Sequence, residues 1–163
     1  MAIFLIGMMG SGKSTVGKIL ADEMGLPFVD LDSFIENKEN KTITEIFNQN
    51  GESYFRKLES EALAKSNSKK AVIACGGGII LSKSNRKLLQ SGKVVYLKAT
   101  ISTLAKRLER AKNRPLLDKT DIEKQLQSIW DERRNSYETT AQIIINVEPY
   151  TPKQITKLIK EKL

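Results

Sequence analysis

The sequence predicts a three-layer α/β/α fold around a mostly parallel sheet of five strands. Short apolar runs alternate along the chain with longer amphipathic segments, and this alternation is typical of strands joined by crossover helices. Several of the apolar runs are continuous, as expected for strands that are covered on both faces. The chain has 163 residues without an internal repeat or a low-complexity linker, so we interpret residues 1–163 as one domain.

Five apolar segments are predicted to be strands and eight amphipathic segments to be helices. The strands are expected at residues 2–7, 28–31, 71–75, 94–99 and 142–147. The helices are expected at residues 13–24, 33–39, 43–49, 52–66, 83–90, 101–111, 121–138 and 152–163. The segment "RAKNRPLLDKTD" at residues 110–121 departs from this pattern because it is polar and basic, with a proline in its middle. It is predicted to be a loop, either with a function of its own or as a mobile connection.

The composition excludes several kinds of chemistry. The chain contains no histidine, so proton transfer near neutral pH depends on a carboxylate, a lysine or water, and nucleophilic schemes of the Ser-His or Cys-His type are excluded. The single cysteine, Cys75, has no partner for an internal disulfide, which favours a cytoplasmic protein. No apolar run approaches the roughly 18 residues of a membrane span, so no membrane partner is expected.

A phosphate-binding motif follows the first predicted strand and opens the first predicted helix. The segment "GMMGSGKS" fits G-x-x-x-x-G-K-[ST] with Gly7, Gly12, Lys13 and Ser14. The glycines let backbone N–H groups point at phosphate oxygens, and the helix N-terminus adds positive potential. The lysine is expected at the β- and γ-phosphates and the serine hydroxyl at Mg²⁺. The residues expected around the phosphates of a nucleoside triphosphate are Gly10, Ser11, Gly12, Lys13, Ser14 and Thr15.

Two carboxylates lie at the end of the second predicted strand, in "FVDLDSF" at residues 28–34. The third strand, in "AVIACGGG", ends without a carboxylate, so Asp30 is the expected partner of Ser14 at the metal, through water. Residues i and i+2 of a strand face the same way, so Asp32 is expected to face the same cleft and to hold an acceptor hydroxyl. The alternative for Asp32 is the N-cap of the following helix.

Three further features have both a functional and a purely structural interpretation. Arg56 lies between aromatic and apolar residues of a helix, where it either faces a ligand or pairs on the surface with Glu52 or Glu59. The triple glycine at residues 76–78 either lets the backbone approach a ligand or forms a loose turn. Arg114 in "NRPLL" either closes onto a transferring phosphate or is an exposed loop arginine.

Taken in order along nearly the whole chain, these motifs resemble the shikimate kinase family. The matching features are the phosphate loop, the D-x-D after the second strand, "GESYFRKLE", the triple glycine, "RPLL" and "RRNSY". The resemblance implies a P-loop kinase fold with a mobile lid at about residues 110–121. It also implies transfer of the ATP γ-phosphate to the 3-hydroxyl of shikimate, on the route to chorismate and the aromatic amino acids. ATP is then the co-substrate and Mg²⁺ the cofactor, and a monomer that binds no nucleic acid is expected.

On the nucleotide side, the resemblance assigns roles to five residues. Lys13 is expected to be catalytic and to bind the phosphates, and Ser14 and Asp30 are expected to hold the metal. Arg114 corresponds to the lid arginine, which contacts the phosphates and is catalytic. Arg107 corresponds to a residue near the adenine, over which the stretch "EPYTP" at residues 148–152 is also expected to lie.

On the acceptor side, the resemblance implies that Asp32 binds the ring hydroxyls and is the candidate base. Arg56 and Arg133 correspond to the pair that grips the substrate carboxylate, a role suited to the planar guanidinium group. Gly77 lies at the strand end whose backbone N–H meets the substrate. The family pattern R-x-P-x-Y is here "RRNSY" without the proline, which leaves Arg133 and Arg134 as candidates, and the spacing to the tyrosine favours Arg133.

One further departure and two alternative functions remain. The family usually has Thr or Ser before its three glycines, where this chain has Cys75, and a thiol is nearly isosteric with the hydroxyl that is lost.

Another small-molecule or nucleoside monophosphate kinase of the same fold, gluconate kinase being the nearest, would not require the second arginine. A nucleotide switch or an RNA-binding module would use the net charge of +8, but the chain lacks N-K-x-D and has few aromatic residues among its basic ones.

Overall fold

A five-stranded parallel sheet forms the centre of the protein. The computed structural model describes residues 1–67, 70–110 and 121–163. In them the strands follow the order β2-β3-β1-β4-β5, and every neighbouring pair is parallel. The strands are β1 (Ile3–Ile6), β2 (Phe28–Asp30), β3 (Val72–Ala74), β4 (Lys93–Lys98) and β5 (Ile143–Asn146). The predicted α/β class is therefore confirmed, with each predicted strand present.

Seven α-helices connect or flank the strands in the described residues. They are α1 (Lys13–Met24), α2 (Leu31–Glu39), α3 (Ile43–Asn67), α4 (Lys83–Leu89), α5 (Ile101–Arg110), α6 (Ile122–Thr140) and α7 (Pro152–Lys162). The two helices predicted at residues 43–49 and 52–66 are assigned as the single helix α3, but Gly51 interrupts it with φ 81° and ψ 172°. None of the helices in the described ranges has the length and apolar character needed to cross a membrane.

The sheet separates two apolar layers. In the central strand β1, Phe4 and Ile6 belong to the core on one face, whereas Ile3 and Leu5 belong to the core on the other. This alternation follows from the period of two in a strand. All four side chains are at least 95% buried, which explains why the run is apolar without interruption. The result is the expected three-layer arrangement.

The carboxyl ends of three strands meet at one edge of the sheet. In the register of the sheet, Ala74 of β3 lies beside both Leu5 of β1 and Asp30 of β2. The loops that follow these strands therefore start side by side, and they carry the phosphate motif, the D-x-D and the triple glycine. Ligands of open α/β sheets bind at this edge, where the strand order reverses.

Candidate active site

The loop between β1 and α1 has the backbone shape that its glycines permit. Gly7, Gly10 and Gly12 have φ values of 146°, 81° and 94°, a range that other residues rarely adopt. Gly12 is also the N-cap of α1, so no side chain covers the first amides of that helix, which can face an anion. The Lys13 ammonium donates to the carbonyls of Gly7 at 2.8 Å and Met8 at 2.9 Å. The lysine is thus folded back along the loop.

The side chains of Ser14 and Asp30 are in contact at the N-terminus of α1. The Ser14 hydroxyl donates to Oδ2 of Asp30 at 2.5 Å. The other carboxylate oxygen of Asp30 accepts the backbone N–H groups of Asp32 at 3.1 Å and Ser33 at 3.3 Å. Asp30 is therefore the N-cap of α2 as well as the neighbour of the serine hydroxyl.

The strand-based argument for Asp32 is wrong. The chain leaves β2 at Asp30, because that side chain caps α2 and the helix begins at Leu31. Asp32 therefore lies in the first helical turn, and the capping role that the sequence allowed for Asp32 belongs to Asp30. Asp32 nevertheless lines the same cavity as Asp30, since the first turn of α2 lies at the same edge of the sheet.

One cavity of about 450 Å³ runs along this edge. Most of the predicted site residues line it, and these are Gly10, Ser11, Gly12, Lys13, Ser14, Thr15, Asp30, Asp32, Gly77 and Arg107. The Arg107 guanidinium donates to the Gly10 carbonyl at 3.1 Å and so lies over the phosphate loop. Tyr150 and Pro152 line the cavity as well, and both belong to the stretch expected over the adenine. The sequence did not single them out, because an exposed tyrosine in a loop carries no motif.

Beside this cavity, Arg56 is held by two carboxylates and fits against a glycine. It donates to Glu59 at 2.5 Å and to Glu52 at 3.1 Å. A Cβ atom on Gly78 would overlap the Arg56 guanidinium, so the arginine packs directly on the triple glycine. Both glutamates that the surface interpretation named are its partners, but the side chain is only 27% exposed.

Glu59 is a buried carboxylate that the sequence interpretation did not assign to the site. Glu59 is only 1% exposed to solvent. A Cβ atom on Gly76 would overlap Oε1 of Glu59 and lie 2.9 Å from Oδ1 of Asp32, so the two acidic side chains approach the same glycine. The pKa of Glu59 is raised, mainly by burial and also by the nearby Asp32 carboxylate. The Arg56 guanidinium acts in the opposite direction and lowers this pKa. The position of Glu59 three residues after Arg56 in "FRKLE" was the available signal.

The two adjacent arginines of "RRNSY" lie in different surroundings. Arg133 is half-buried and lies one turn before Tyr137 in α6. Its charge opposes the raised pKa values of Tyr137 and Glu59. Arg134 is exposed, and its guanidinium carbon lies 5.4 Å from the centroid of the Trp130 ring. Arg133, and not Arg134, therefore acts on Glu59, the buried partner of Arg56.

Two further residues of the predicted site are Cys75, which the structure describes, and Arg114, which it does not. Cys75 lines the cavity but is 2% exposed, and burial strongly raises the pKa of its thiol, so it contributes a neutral group. Arg114 and most of the predicted lid fall in residues 111–120, which lie outside the described residues.

The fold and the site define a small-molecule kinase of the P-loop type. The family model of shikimate kinase matches residues 9–163, nearly the whole chain. The chain belongs to the shikimate kinase family, whose members are ATP-dependent kinases that transfer phosphate to shikimate.

Individual relatives agree with this assignment. The shikimate kinase of Sulfurihydrogenibium sp. (strain YO3AOP1) is 45% identical over 163 residues, which cover 99% of this chain and 96% of the relative. The structure of shikimate kinase from Acinetobacter baumannii in complex with shikimate superposes with a TM-score of 0.94 at 37% identity, covering 99% of this chain and 91% of that one. A gluconokinase from Sinorhizobium meliloti, at 19% identity and a TM-score of 0.59, covering 96% of this chain and 87% of that one, shares the fold alone.

Proposed function

We propose that this chain transfers the γ-phosphate of ATP to the 3-hydroxyl of shikimate, giving shikimate 3-phosphate and ADP. The observation that carries the proposal is that Asp32 and Arg56 both pack against the triple glycine, beside the phosphate loop, and that the charge of Arg133 acts on Glu59 in the same place. The shikimate complex of the 37% identical relative from Acinetobacter baumannii supports the choice of acceptor.

The acceptor is held by opposite charges. Arg56 and Arg133 offer two guanidinium groups to the carboxylate of shikimate, and such charge-assisted pairs are strong and directional. Glu59 keeps Arg56 in place through their 2.5 Å ion pair. Asp32 binds the ring hydroxyls and orients the reacting one, and Gly77 offers its backbone N–H. With no histidine in the chain, Asp32 is also the group that accepts the hydroxyl proton as the O–P bond forms.

The nucleotide lies along the phosphate loop. Backbone N–H groups of residues 10–15 and the N-terminus of α1 bind its phosphates. Lys13 exchanges its carbonyl partners, Gly7 and Met8, for the β- and γ-phosphate oxygens, where its charge stabilises the transition state. Arg107 binds above the loop near the adenine. Arg114 is proposed to close onto the transferring phosphate.

The residues at the N-terminus of α1 are suited to bind Mg²⁺. Ser14 and Asp30 place a hydroxyl and a carboxylate side by side, and such oxygen ligands suit a hard cation. Within the described residues no cluster of three or more acidic, cysteine or histidine side chains forms a closed metal cage, which agrees with a cation held mostly by phosphates and water. When bound, Mg²⁺ would neutralise charge on the β- and γ-phosphate oxygens.

An acceptor panel tests the proposal. Purified protein is assayed with ATP and Mg²⁺ and either shikimate, gluconate or AMP, and ADP release is coupled to NADH oxidation. We expect turnover with shikimate at least about 100-fold above that with gluconate or AMP, because only shikimate presents a carboxylate at the distance set by its ring. Equal or higher turnover with gluconate or AMP contradicts the proposal.

We also propose that the enzyme works as a cytoplasmic monomer without nucleic acid. The phosphate loop, Asp30, Asp32 and Gly77 line one cavity, and an active monomer is the arrangement that we propose for them. Light scattering after gel filtration measures the mass of the protein, and a filter-binding titration against salt tests for RNA. A dimer that loses activity on dilution, or salt-resistant RNA binding, contradicts this part.

A further inference from the structure

Tyr137 is a buried tyrosine between the sheet and the acceptor site. Its residue is 0% exposed, and its ring stacks on Tyr96 of β4 with the centroids 4.9 Å apart and the planes at 12°. Burial raises the pKa of the Tyr137 hydroxyl, so the group keeps its proton at neutral pH and can donate one hydrogen bond. A buried hydroxyl requires such a partner.

The hydroxyl proton is donated to the carbonyl oxygen of Gly77 at 2.5 Å. The carbonyls of the flanking Gly76 and Gly78 instead accept the backbone N–H groups of Ile79 at 3.2 Å and Leu81 at 3.0 Å. The middle glycine of the three is thus tied to a distant helix by a side chain. Three successive glycines have wide backbone freedom, and this hydrogen bond restricts the one that faces the cavity.

Arg133 acts on the same hydroxyl, because it opposes the rise in the pKa of Tyr137 that burial causes. Because its proton is donated to Gly77, the hydroxyl oxygen can act toward the arginine only as an acceptor. Nε of Arg133 is buried and has no hydrogen-bond partner in the described parts of the chain. Among the described residues, the tyrosine hydroxyl is therefore a group that can influence the direction of this guanidinium.

We infer that the Tyr137 hydroxyl is a positioning group of the acceptor site, which fixes the Gly77 peptide and the Arg133 guanidinium relative to each other. It acts through these two groups and does not bind shikimate itself. The inference rests on the proposed function, in which both groups contact the acceptor. The nucleotide phosphates bind to the loop after β1, so their binding does not depend on this hydroxyl.

The test is Tyr137→Phe, which removes one oxygen and keeps the ring that stacks on Tyr96. We expect the KM for shikimate to rise about tenfold, with the KM for ATP within about twofold of the wild-type value. A KM does not depend on the fraction of folded protein, so partial loss of stability leaves this readout intact. The fluorescence of Trp130, the only tryptophan in the chain, gives an independent shikimate titration without turnover.

The matched control is Tyr96→Phe, which removes the hydroxyl from the other ring of the stack. We expect its KM for shikimate to stay within about twofold of the wild type. The inference is overturned when Tyr137→Phe raises the shikimate KM less than about threefold, or when both KM values rise together, as a merely structural role would produce. If the wild-type protein does not phosphorylate shikimate, both the proposed function and the inference are wrong. If the wild type is active and Tyr137→Phe has normal kinetics, only the inference is wrong.

Discussion

Gly78 and Arg56 occupy complementary space. A Cβ atom at Gly78 would overlap the guanidinium of Arg56, which is held from its other side by Glu52 and Glu59. The arginine cannot turn away without breaking its ion pair with a buried carboxylate, and an unpaired buried charge is costly. The missing side chain at position 78 is therefore part of what fixes Arg56.

Gly78→Ala is expected to damage acceptor binding. The new methyl group displaces the Arg56 guanidinium, so we expect the KM for shikimate to rise about tenfold or more while the KM for ATP changes little. Steady-state kinetics with each substrate varied in turn measures both values.

Gly17→Ala in α1 is the matched control. Its Cβ atom would lie 2.5 Å from the Phe28 ring, on the opposite face of the sheet. We expect a lower melting temperature and an unchanged KM for shikimate. An unchanged shikimate KM in Gly78→Ala would contradict the role of the Gly78–Arg56 contact.

Arg133→Ala and Arg134→Ala are expected to differ sharply although the two residues are adjacent. Arg133 acts on the buried residues Tyr137 and Glu59, whereas Arg134 lies over Trp130. Loss of a charge-assisted contact to the shikimate carboxylate should lower kcat/KM about 100-fold in Arg133→Ala. Arg134→Ala should stay within about threefold of the wild type. The same loss in both variants, or a larger loss in Arg134→Ala, would show that the carboxylate ligand is misassigned.

Asp32→Asn is expected to abolish most turnover while ATP still binds. The amide cannot accept the proton of the reacting hydroxyl, and general-base groups contribute about 10²–10⁴-fold to rates. We expect kcat to fall within this range while ATP affinity, measured by calorimetry, stays near the wild-type value. Asp22→Asn changes an exposed carboxylate of α1 and should leave kcat unaltered. Activity close to wild type in Asp32→Asn would rule out the acceptor-site assignment.

Asp30→Asn separates the two roles of Asp30. Asparagine is as good an N-cap as aspartate, so α2 should keep its start and the melting temperature should change little. The loss of the carboxylate beside Ser14 should raise the Mg²⁺ concentration for half-maximal activity about tenfold. Titration of activity with Mg²⁺ at saturating ATP tests this. An unchanged Mg²⁺ requirement would mean that Asp30 serves only as the cap.

Glu59→Gln is expected to change how stability depends on pH. The pKa of Glu59 is raised above its ordinary value of 4.5, mainly by burial, so the folded protein binds this proton more tightly than the unfolded chain. The contribution to stability is present below the ordinary pKa and is lost as pH rises through the raised one. The difference in unfolding free energy between wild type and Glu59→Gln should therefore decrease as pH increases above 4.5. Urea unfolding at a series of pH values measures it, and a constant or increasing difference contradicts the prediction.

Local sequence determined much of the fold and the phosphate site. The apolar runs predicted each strand, and in β1 and β3 every residue is buried, because burial on both faces leaves no room for polar residues. The phosphate loop was readable as well, since "GMMGSGKS" forms its shape through the φ values of its own glycines. The break in α3 at Gly51 was expected for the same local reason, as the two predicted helices end and begin on either side of it.

Interactions between distant parts of the chain decided the acceptor site. The sequence placed Asp32 on a strand, but the side chain of Asp30 caps α2 and moves Asp32 onto a helix. It could not show that Tyr137 bonds to a carbonyl 60 residues away, or that Glu59 is buried between charged neighbours. Such contacts depend on how α3 and α6 pack on the triple glycine, and packing sums many weak interactions that no short segment encodes alone. The sequence by itself thus determined the kinase class and named Asp32, Arg56 and Arg133, whereas only the tertiary structure showed that Glu59 and Tyr137 pack against the triple glycine.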